Sequence, residues 1–256
     1  MTLTISPDLI TTLRGAKHVV ILTGAGVSAE SGIPTFRGRM TGLWERYSPQ
    51  QLANADAFQH DPELVWGWYE WRRMLVMKAQ PNPAHLAIAQ MAAQVPRLPL
   101  ITQNVDDLHE RGGSQDVLHL HGRLHRPFCF DCRQPHAFPP GLPDEPEGGR
   151  RLAPPRCGHC GGPIRPGVVW FGERLPEDVL NAAVAACDDC DMLISVGTSS
   201  LVQPAAGLPL RVARRHRPVV QVNPEPNPLS AHIRYDLLGP AGSVMPALYE
   251  AAWSAV

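Results

Sequence analysis

Short apolar runs recur along the chain, and each gives way to glycine or polar residues. Val19-Val20-Ile21-Leu22-Thr23 leads into Gly24, Leu98 to Thr102 into Gln103-Asn104-Val105-Asp106, and Val117 to Leu120 into His121-Gly122. Met192 to Val196 leads into Gly197-Thr198-Ser199, and Pro218 to Val222 into Asn223-Pro224-Glu225. Runs of this length, rich in β-branched residues and bounded by turn formers, predict buried parallel strands. Helical spacing separates them: Leu9, Ile10, Leu13 and Ala16; a stretch from Asp61 to Ala79 with Asp61 as cap and Pro62 in the first position; Asn82 to Gln94; Pro176 to about Ala186; and a helix from Val244. The alternation predicts an α/β fold, a Rossmann-like doubly wound parallel sheet whose strand ends line a ligand crevice. One further run, Ile164 to Glu173, predicts a short strand with a free edge. Pro49 to Phe58 is mixed and predicts no strand.

Composition narrows the classes. A chain of 256 residues can bury a full α/β core and carry a small second module. A net charge of −1 leaves no electrostatic footprint for nucleic acid or an anionic membrane, so neither is expected as a partner. No run approaches the roughly 20 apolar residues of a membrane helix, and Met1 to Gly15 lacks the pattern of a signal peptide, so a cytoplasmic protein is expected. The 27 prolines sit at junctions such as Pro81-Asn82-Pro83 and stiffen loops.

All six cysteines fall in C-x-x-C pairs. Cys129 and Cys132 precede Cys157 and Cys160 by 24 intervening residues rich in proline, glycine and charge. Two such knuckles supply four thiolates for tetrahedral zinc and leave no open position, which makes the site structural; a redox dithiol is the alternative. Cys187 and Cys190 have no second pair to complete a ligand set and are expected to be buried or half-buried thiols.

Gly24-Ala25-Gly26-Val27-Ser28-Ala29 fits the weak G-x-G-x-x-A form of a dinucleotide turn, in which glycines take positive φ, let a pyrophosphate approach, and open a helix whose N–H groups face the anion. A dehydrogenase also wants an acid at the tip of the next strand. Glu45 lies near that distance but not on a predicted strand. Asn104 and Asp106 alternate and so project the same way from a strand end. His119 and His121 share a face, and either could be a general base near neutral pH. Tyr69 and Arg72 share one face of the Asp61–Ala79 helix, where core packing is the competing role; His85 is expected to be structural.

These motifs, in this order, resemble the sirtuins, NAD-dependent protein lysine deacylases, over roughly residues 15 to 250. The resemblance implies an NAD site of Gly24, Ala25, Gly26, Ser28, Glu30, Gly32, Ile33, Pro34, Phe36, Arg37 and Trp44. Gln103, Asn104, Val105 and Asp106 would join it at the nicotinamide end. Gly197, Thr198, Ser199, Asn223, Pro224, Glu225 and Ala241 would hold the adenosine half. Catalysis would rest on His121, Asn104 and Asp106. The acyl oxygen would attack the ribose carbon of NAD as nicotinamide leaves, and His121 would draw a proton from a ribose hydroxyl so that the acyl group ends as 2′-O-acyl-ADP-ribose, with free lysine. Phe36 and Arg37 would cover the reacting ribose. The peptide would add as a strand to Val168, Val169, Trp170, Phe171, Gly172 and Glu173. Tyr69, Arg72 and the small Ala53 resemble the subgroup that removes succinyl and malonyl groups, because an arginine fork and a phenol can take a carboxylate. The implied division is a Rossmann-like domain of 1–33, 85–123 and 164–256, a helical part of a small domain at 34–84, and an inserted zinc module at 124–163. NAD is consumed, one structural zinc ion is bound, the partners are acylated protein lysines, and a monomer is expected. A sirtuin-fold ADP-ribosyltransferase is the alternative enzyme; a zinc-ribbon binding module would need a basic surface and leaves Asn104, Asp106 and His121 unexplained.

Overall fold

A computed structural model describes residues 4–35 and 42–254. In chain order the strands are β1 (Val19–Thr23), β2 (Leu100–Thr102), β3 (Leu118–His119), β4 (Phe128–Cys129), β5 (Ile164–Arg165), β6 (Met192–Val196), β7 (Val219–Asn223) and β8 (Tyr235–Leu238). The helices are α1 (Pro7–Gly15), α2 (Pro49–Leu52), α3 (Ala55–His60), α4 (Pro62–Lys78), α5 (Pro83–Met91), α6 (Leu108–Arg111), α7 (Glu177–Asp189), α8 (Gly207–Ala213) and α9 (Ala241–Trp253).

Six strands form one parallel sheet in the order β3-β2-β1-β6-β7-β8. From β1 the chain winds outward through β2 and β3, then returns to β6 on the other side of β1. That reversal opens a crevice outside the carboxyl ends of β1 and β6, the position at which doubly wound sheets bind ligands. The period of two along β1 explains its unbroken apolar character. Val19 and Ile21 pack with Leu9, Ile88, Met91 and Leu248 from α1, α5 and α9. Val20 and Leu22 pack with Ala183, Ala186, Leu208 and Val212 from α7 and α8 on the opposite face.

The five expected strands of the sheet are present. A sixth, β8, joins the edge; it was hidden in the sequence because Asp236 interrupts its apolar pattern and only alternate residues are buried. The expected strand over Ile164–Glu173 is corrected. Only Ile164 and Arg165 are strand, antiparallel to β4. Val168 to Glu173 runs on as irregular extended chain held at intervals: the Val169 N–H donates to the His121 carbonyl at 2.8 Å and the Phe171 N–H to the Ala53 carbonyl at 2.9 Å. One edge of this segment is therefore partly engaged, not free. Proline and glycine at 166 and 167, and a Gly172 with φ of 88°, break the regular pleat.

A second core lies beside the sheet. α4 starts at its predicted cap, with the Leu64 N–H donating to Asp61 Oδ1 at 3.1 Å, and is buried almost all round. Trp44, Phe58, Trp66, Trp68 and Trp71 pack in one cluster with Cys129, Cys157, Ile164 and Trp170. Phe58 meets Phe130 at 5.3 Å between ring centroids, and Trp66 stacks on Phe138 at 6.0 Å. The helices and the cysteine module thus share a single apolar interior.

Candidate active site

The glycine turn after β1 is built differently from the sequence expectation. No α-helix follows it; two single 3₁₀ turns do, Ala25–Val27 and Ala29–Ser31. Gly24 has a φ of −131°, and Gly26 is not among the positive-φ glycines. Their small size serves close packing instead: a Cβ on Gly26 would stand 2.7 Å from the Gly197 Cα, and one on Gly24 would stand 2.9 Å from the Gly197 carbonyl oxygen. The Gly24 and Gly26 N–H groups are spent on the Val196 and Gly197 carbonyls at 3.0 and 2.9 Å. Positive φ belongs to Gly32 (85°) and Gly197 (63°). The turns after β1 and β6 are thereby locked together across the switch point, and Ile33, further along, is buried in the second core. Phe36 and Arg37 lie outside the described residues.

At the end of β2, Asn104 and Asp106 do converge. Asn104 Nδ2 donates to Ser28 Oγ at 3.0 Å, and Ser28 Oγ donates to Asp106 Oδ2 at 3.1 Å. The Leu108 N–H donates to the other Asp106 oxygen at 3.1 Å. Burial pushes the Asp106 carboxyl up, against these two hydrogen bonds. Two histidines complete the cluster. Because the Asn82 N–H donates to His85 Nδ1 at 3.2 Å, the His85 hydrogen sits on Nε2 and faces Ser28 Oγ at 3.4 Å. His109 Nε2 lies 2.9 Å from Thr23 Oγ1, which in turn donates to Thr102 Oγ1 at 2.8 Å. Burial drives His85 down to about 4 and His109 to about 3, so both rings are neutral. The sequence singles out neither His109 nor Thr23 and Thr102 for the site; the two threonines offered a signal, polar side chains ending apolar strands, whereas His85 and His109 come from helices α5 and α6.

The structure separates the two candidate bases. His119 has both ring nitrogens engaged, Nδ1 with the Asn104 carbonyl at 3.1 Å and Nε2 with Glu110 at 2.8 Å. His121 holds only Nδ1, against the Gln103 carbonyl at 3.0 Å. Its Nδ1 therefore carries the hydrogen, and its Nε2 has no partner among the described residues. Burial lowers the His121 pKa below the ordinary 6.5, although the bond to Gln103 works the other way. A neutral imidazole with a free basic nitrogen can accept a proton near pH 7.

At the far end of the crevice, Asn223 at the tip of β7 donates to the Glu225 carbonyl at 3.2 Å, which shapes the turn through Pro224. Asn227, unnoticed in the sequence, donates to the Thr198 carbonyl at 2.9 Å and fixes the turn carrying Ser199. Glu30 reaches across the crevice, its Oε2 accepting from the Gly242 N–H at 2.6 Å. It thus caps α9 beside Ala241, a helix start with no side-chain cap of its own.

On the other side, Tyr69 and Arg72 are buried in the shared core. Trp170 Nε1 donates to the Tyr69 hydroxyl at 3.0 Å. Burial raises the Tyr69 pKa, keeping the phenol protonated. The Arg72 guanidinium lies 5.1 Å from the centre of the Trp68 ring; burial works against its charge, and Tyr69 and Asp106 restore part of it. Glu173 is bound bidentately by Arg165 at 2.5 and 2.9 Å and accepts from the Trp170 N–H at 2.8 Å, which fixes the extended segment.

The sulfurs of Cys129, Cys132, Cys157 and Cys160 all lie within 4.8 Å of one another. Cys129 and Cys160 are 3.5 Å apart, and Cys132 and Cys157 3.7 Å. A tetrahedron with Zn–S bonds of about 2.3 Å has edges of about 3.8 Å, so the donor set fits zinc. N–H groups of Cys132, His159 and Gly162 point at these sulfurs at 3.4 to 3.5 Å, as they would at thiolates. Cys187 and Cys190 are buried as expected, and burial pushes their thiols up to about 12 and 11.

A doubly wound sheet, a glycine-locked switch point, a polar cluster beneath it and a four-cysteine module together define a dinucleotide-binding α/β protein with a structural metal site. The chain belongs to the Sir2 family: residues 24–204 match the model of that family. It is 60% identical over 246 residues, 96% of either chain, to a protein of Methylococcus capsulatus named NAD-dependent protein deacylase. Among solved structures, a Sir2 homologue in complex with NAD superposes with a TM-score of 0.88 at 48% identity, covering 97% of this chain and 94% of that one. A mutant Sir2 homologue bound to 2′-O-acetyl-ADP-ribose gives the same score and identity, covering 97% and 96%.

Proposed function

We infer that this protein is an NAD-dependent protein lysine deacylase. The observation that carries the reading is His121, a neutral, half-buried imidazole just beyond the carboxyl end of β3, bonded to the Gln103 carbonyl beside Asn104 and with an Nε2 that has no partner among the described residues. NAD supplies the leaving nicotinamide and the ribose hydroxyl that receives the acyl group. Asp106 and Asn104 would orient the nicotinamide end, the locked turns at Gly24 and Gly197 would take the pyrophosphate, and Ser199, Asn223 and Ala241 would flank the adenosine. His121 would accept the ribose proton at Nε2, which its hydrogen bond to the Gln103 carbonyl leaves basic. The four cysteines would hold one zinc ion away from this chemistry. Acylated lysines in proteins are the substrates; a transfer of ADP-ribose to protein finds no support in the relatives' names. No helix among the described residues is long and apolar enough to cross a membrane.

The finer reading concerns the acyl group. Trp170 fills an acceptor site of the Tyr69 hydroxyl, which directs the phenolic hydrogen elsewhere, and Arg72 lies one turn further along α4. That pairing, with Ala53 leaving space, supports removal of succinyl and malonyl groups alongside acetyl. Incubating one peptide sequence bearing acetyl-, succinyl- or malonyl-lysine with NAD, and following nicotinamide and the peptide by mass spectrometry, tests both levels. Turnover of none overturns the deacylase; turnover of acetyl alone overturns the acyl preference.

A further inference from the structure

A groove of about 800 Å³ runs between the end of α4 and the cysteine module, and neither the dinucleotide nor the acyl group has a use for it. Its walls carry three arginines, Arg73, Arg126 and Arg133, with His125 and His136 and no carboxylate; burial lowers the His125 pKa, and Asp107 lies 3.8 Å from its Nε2. Arg73 is neutralised: it is buried and bound bidentately by Glu70, at 2.9 and 3.1 Å, and its guanidinium lies 3.9 Å above the Phe138 ring as part of the floor. Arg126 and Arg133 are exposed, and among the described residues neither has a carboxylate within ion-pair distance. The remaining lining is aromatic, proline, methionine, alanine and glycine.

Arg133 is held in place at a cost. Its φ is 65°, in the left-handed region that disfavours a residue with a Cβ. The matching position of the second cysteine knuckle is Gly161, with a φ of 74°. The first knuckle therefore carries an arginine where the same turn elsewhere in the module uses glycine. Strain of this kind points to a use for the side chain. The guanidinium carbon lies over Phe128, 4.2 Å from the ring centre, on an exposed side chain. Phe128 in the groove wall also lies 5.0 Å from the Arg165 guanidinium that binds Glu173, so the groove adjoins one end of the extended segment.

We propose that this groove docks an acidic, partly apolar extended segment of the protein substrate, remote from the acyl-lysine. Arginine forks match carboxylates, the apolar walls match the side chains between them, and both β4 edges are already engaged, by β5 and by a bridge to Pro135. Recognition would therefore come from side chains. A polynucleotide fits less well, because two unpaired arginines in a chain of net charge −1 make too small a footprint for a phosphate backbone.

The proposal rests on the deacylase reading only for the identity of the partner. The test compares a short acyl-lysine peptide with the same peptide extended by a ten-residue tail alternating glutamate with leucine or phenylalanine, and with a glutamine version of that tail. The enzymes are wild type and the double variant Arg126→Ser/Arg133→Gly, the second change suiting the left-handed backbone and so sparing the fold. The acidic tail should raise kcat/KM about 5- to 10-fold through KM, the glutamine tail should not, and the gain should vanish in the variant and at high salt. Turnover of the short peptide should be equal in both enzymes. No gain in wild type, or a gain that survives in the variant, overturns the proposal. So does tighter binding of a labelled single-stranded oligonucleotide than of the labelled tail in fluorescence anisotropy. If no peptide is turned over, the deacylase reading fails, and the anisotropy of the tail still decides the groove.

Discussion

His121 and His119 stand two positions apart on one strand end, and the difference between them is one unoccupied nitrogen. Replacing His121 with alanine should lower kcat by about 10²- to 10⁴-fold, the usual worth of a positioned base. NAD affinity, read by calorimetry, should change little, and its loss would make His121 a structural residue. As the proposed base, the same imidazole should set the acid limb of the rate profile. Protonation removes the base, and because burial lowers its pKa from 6.5, the acid limb of kcat/KM should be centred below pH 6.5. An acid limb centred above 6.5 would contradict this. Tyr69 and Arg72 make a separate residue-level case. Tyr69→Phe should cost succinyl-lysine turnover roughly 10-fold, one charge-assisted hydrogen bond, while acetyl-lysine turnover stays within about 2-fold.

At the scale of elements, the crevice depends on pieces remote in sequence being tied at their ends. The turns after β1 and β6 interlock through Gly24, Gly26 and Gly197, and Glu30 ties the first of them to the start of α9. If the adenosine lies beside Ala241 as proposed, Glu30 would help to position it by accepting from the Gly242 N–H. Glu30→Ala should raise the KM for NAD roughly 3- to 10-fold with kcat nearly unchanged, and Glu30→Gln, which keeps an acceptor oxygen, should restore much of the loss. A fall in kcat with no change in KM would argue against the tie. The strand ends themselves were legible from the apolar runs, because burial on both faces of a parallel sheet leaves a continuous signal. The irregular course of Val168–Glu173 was not, because its partners, His121 and Ala53, come from two distant segments.

At the scale of the whole molecule, the two cores respond to different challenges. Helices and cysteine module share Trp44, Trp68, Trp71 and Trp170 with Cys129 and Cys157, so metal removal should not be a local event. Chelation should abolish turnover and most of the near-ultraviolet tryptophan dichroism together, while far-ultraviolet signal from the sheet is largely kept. Acid should act on the sheet side. His85 and His109 titrate near 6.5 when unfolded but at about 4 and about 3 when folded. Between those values the unfolded chain binds more protons, so stability must fall as pH drops below 6.5, by about 3 kcal/mol for each histidine at pH 4, before the carboxylates contribute at lower pH. His85→Gln should flatten that slope in thermal melts between pH 6.5 and 4.5. The sequence by itself determined the α/β class, five of the six sheet strands, the cysteine set and the residues at the strand tips, since these follow from local periodicity, spacing and residue chemistry. It also assigned positive φ to Gly24 and Gly26, where the structure uses their missing Cβ for close packing. Only the tertiary structure could engage both ring nitrogens of His119 but one of His121, join Asn104 and Asp106 through Ser28, bring Glu30 to α9 and merge helices and cysteine module into one interior. Each of those outcomes depends on which distant group fills a hydrogen-bonding or packing vacancy, and no local pattern encodes that.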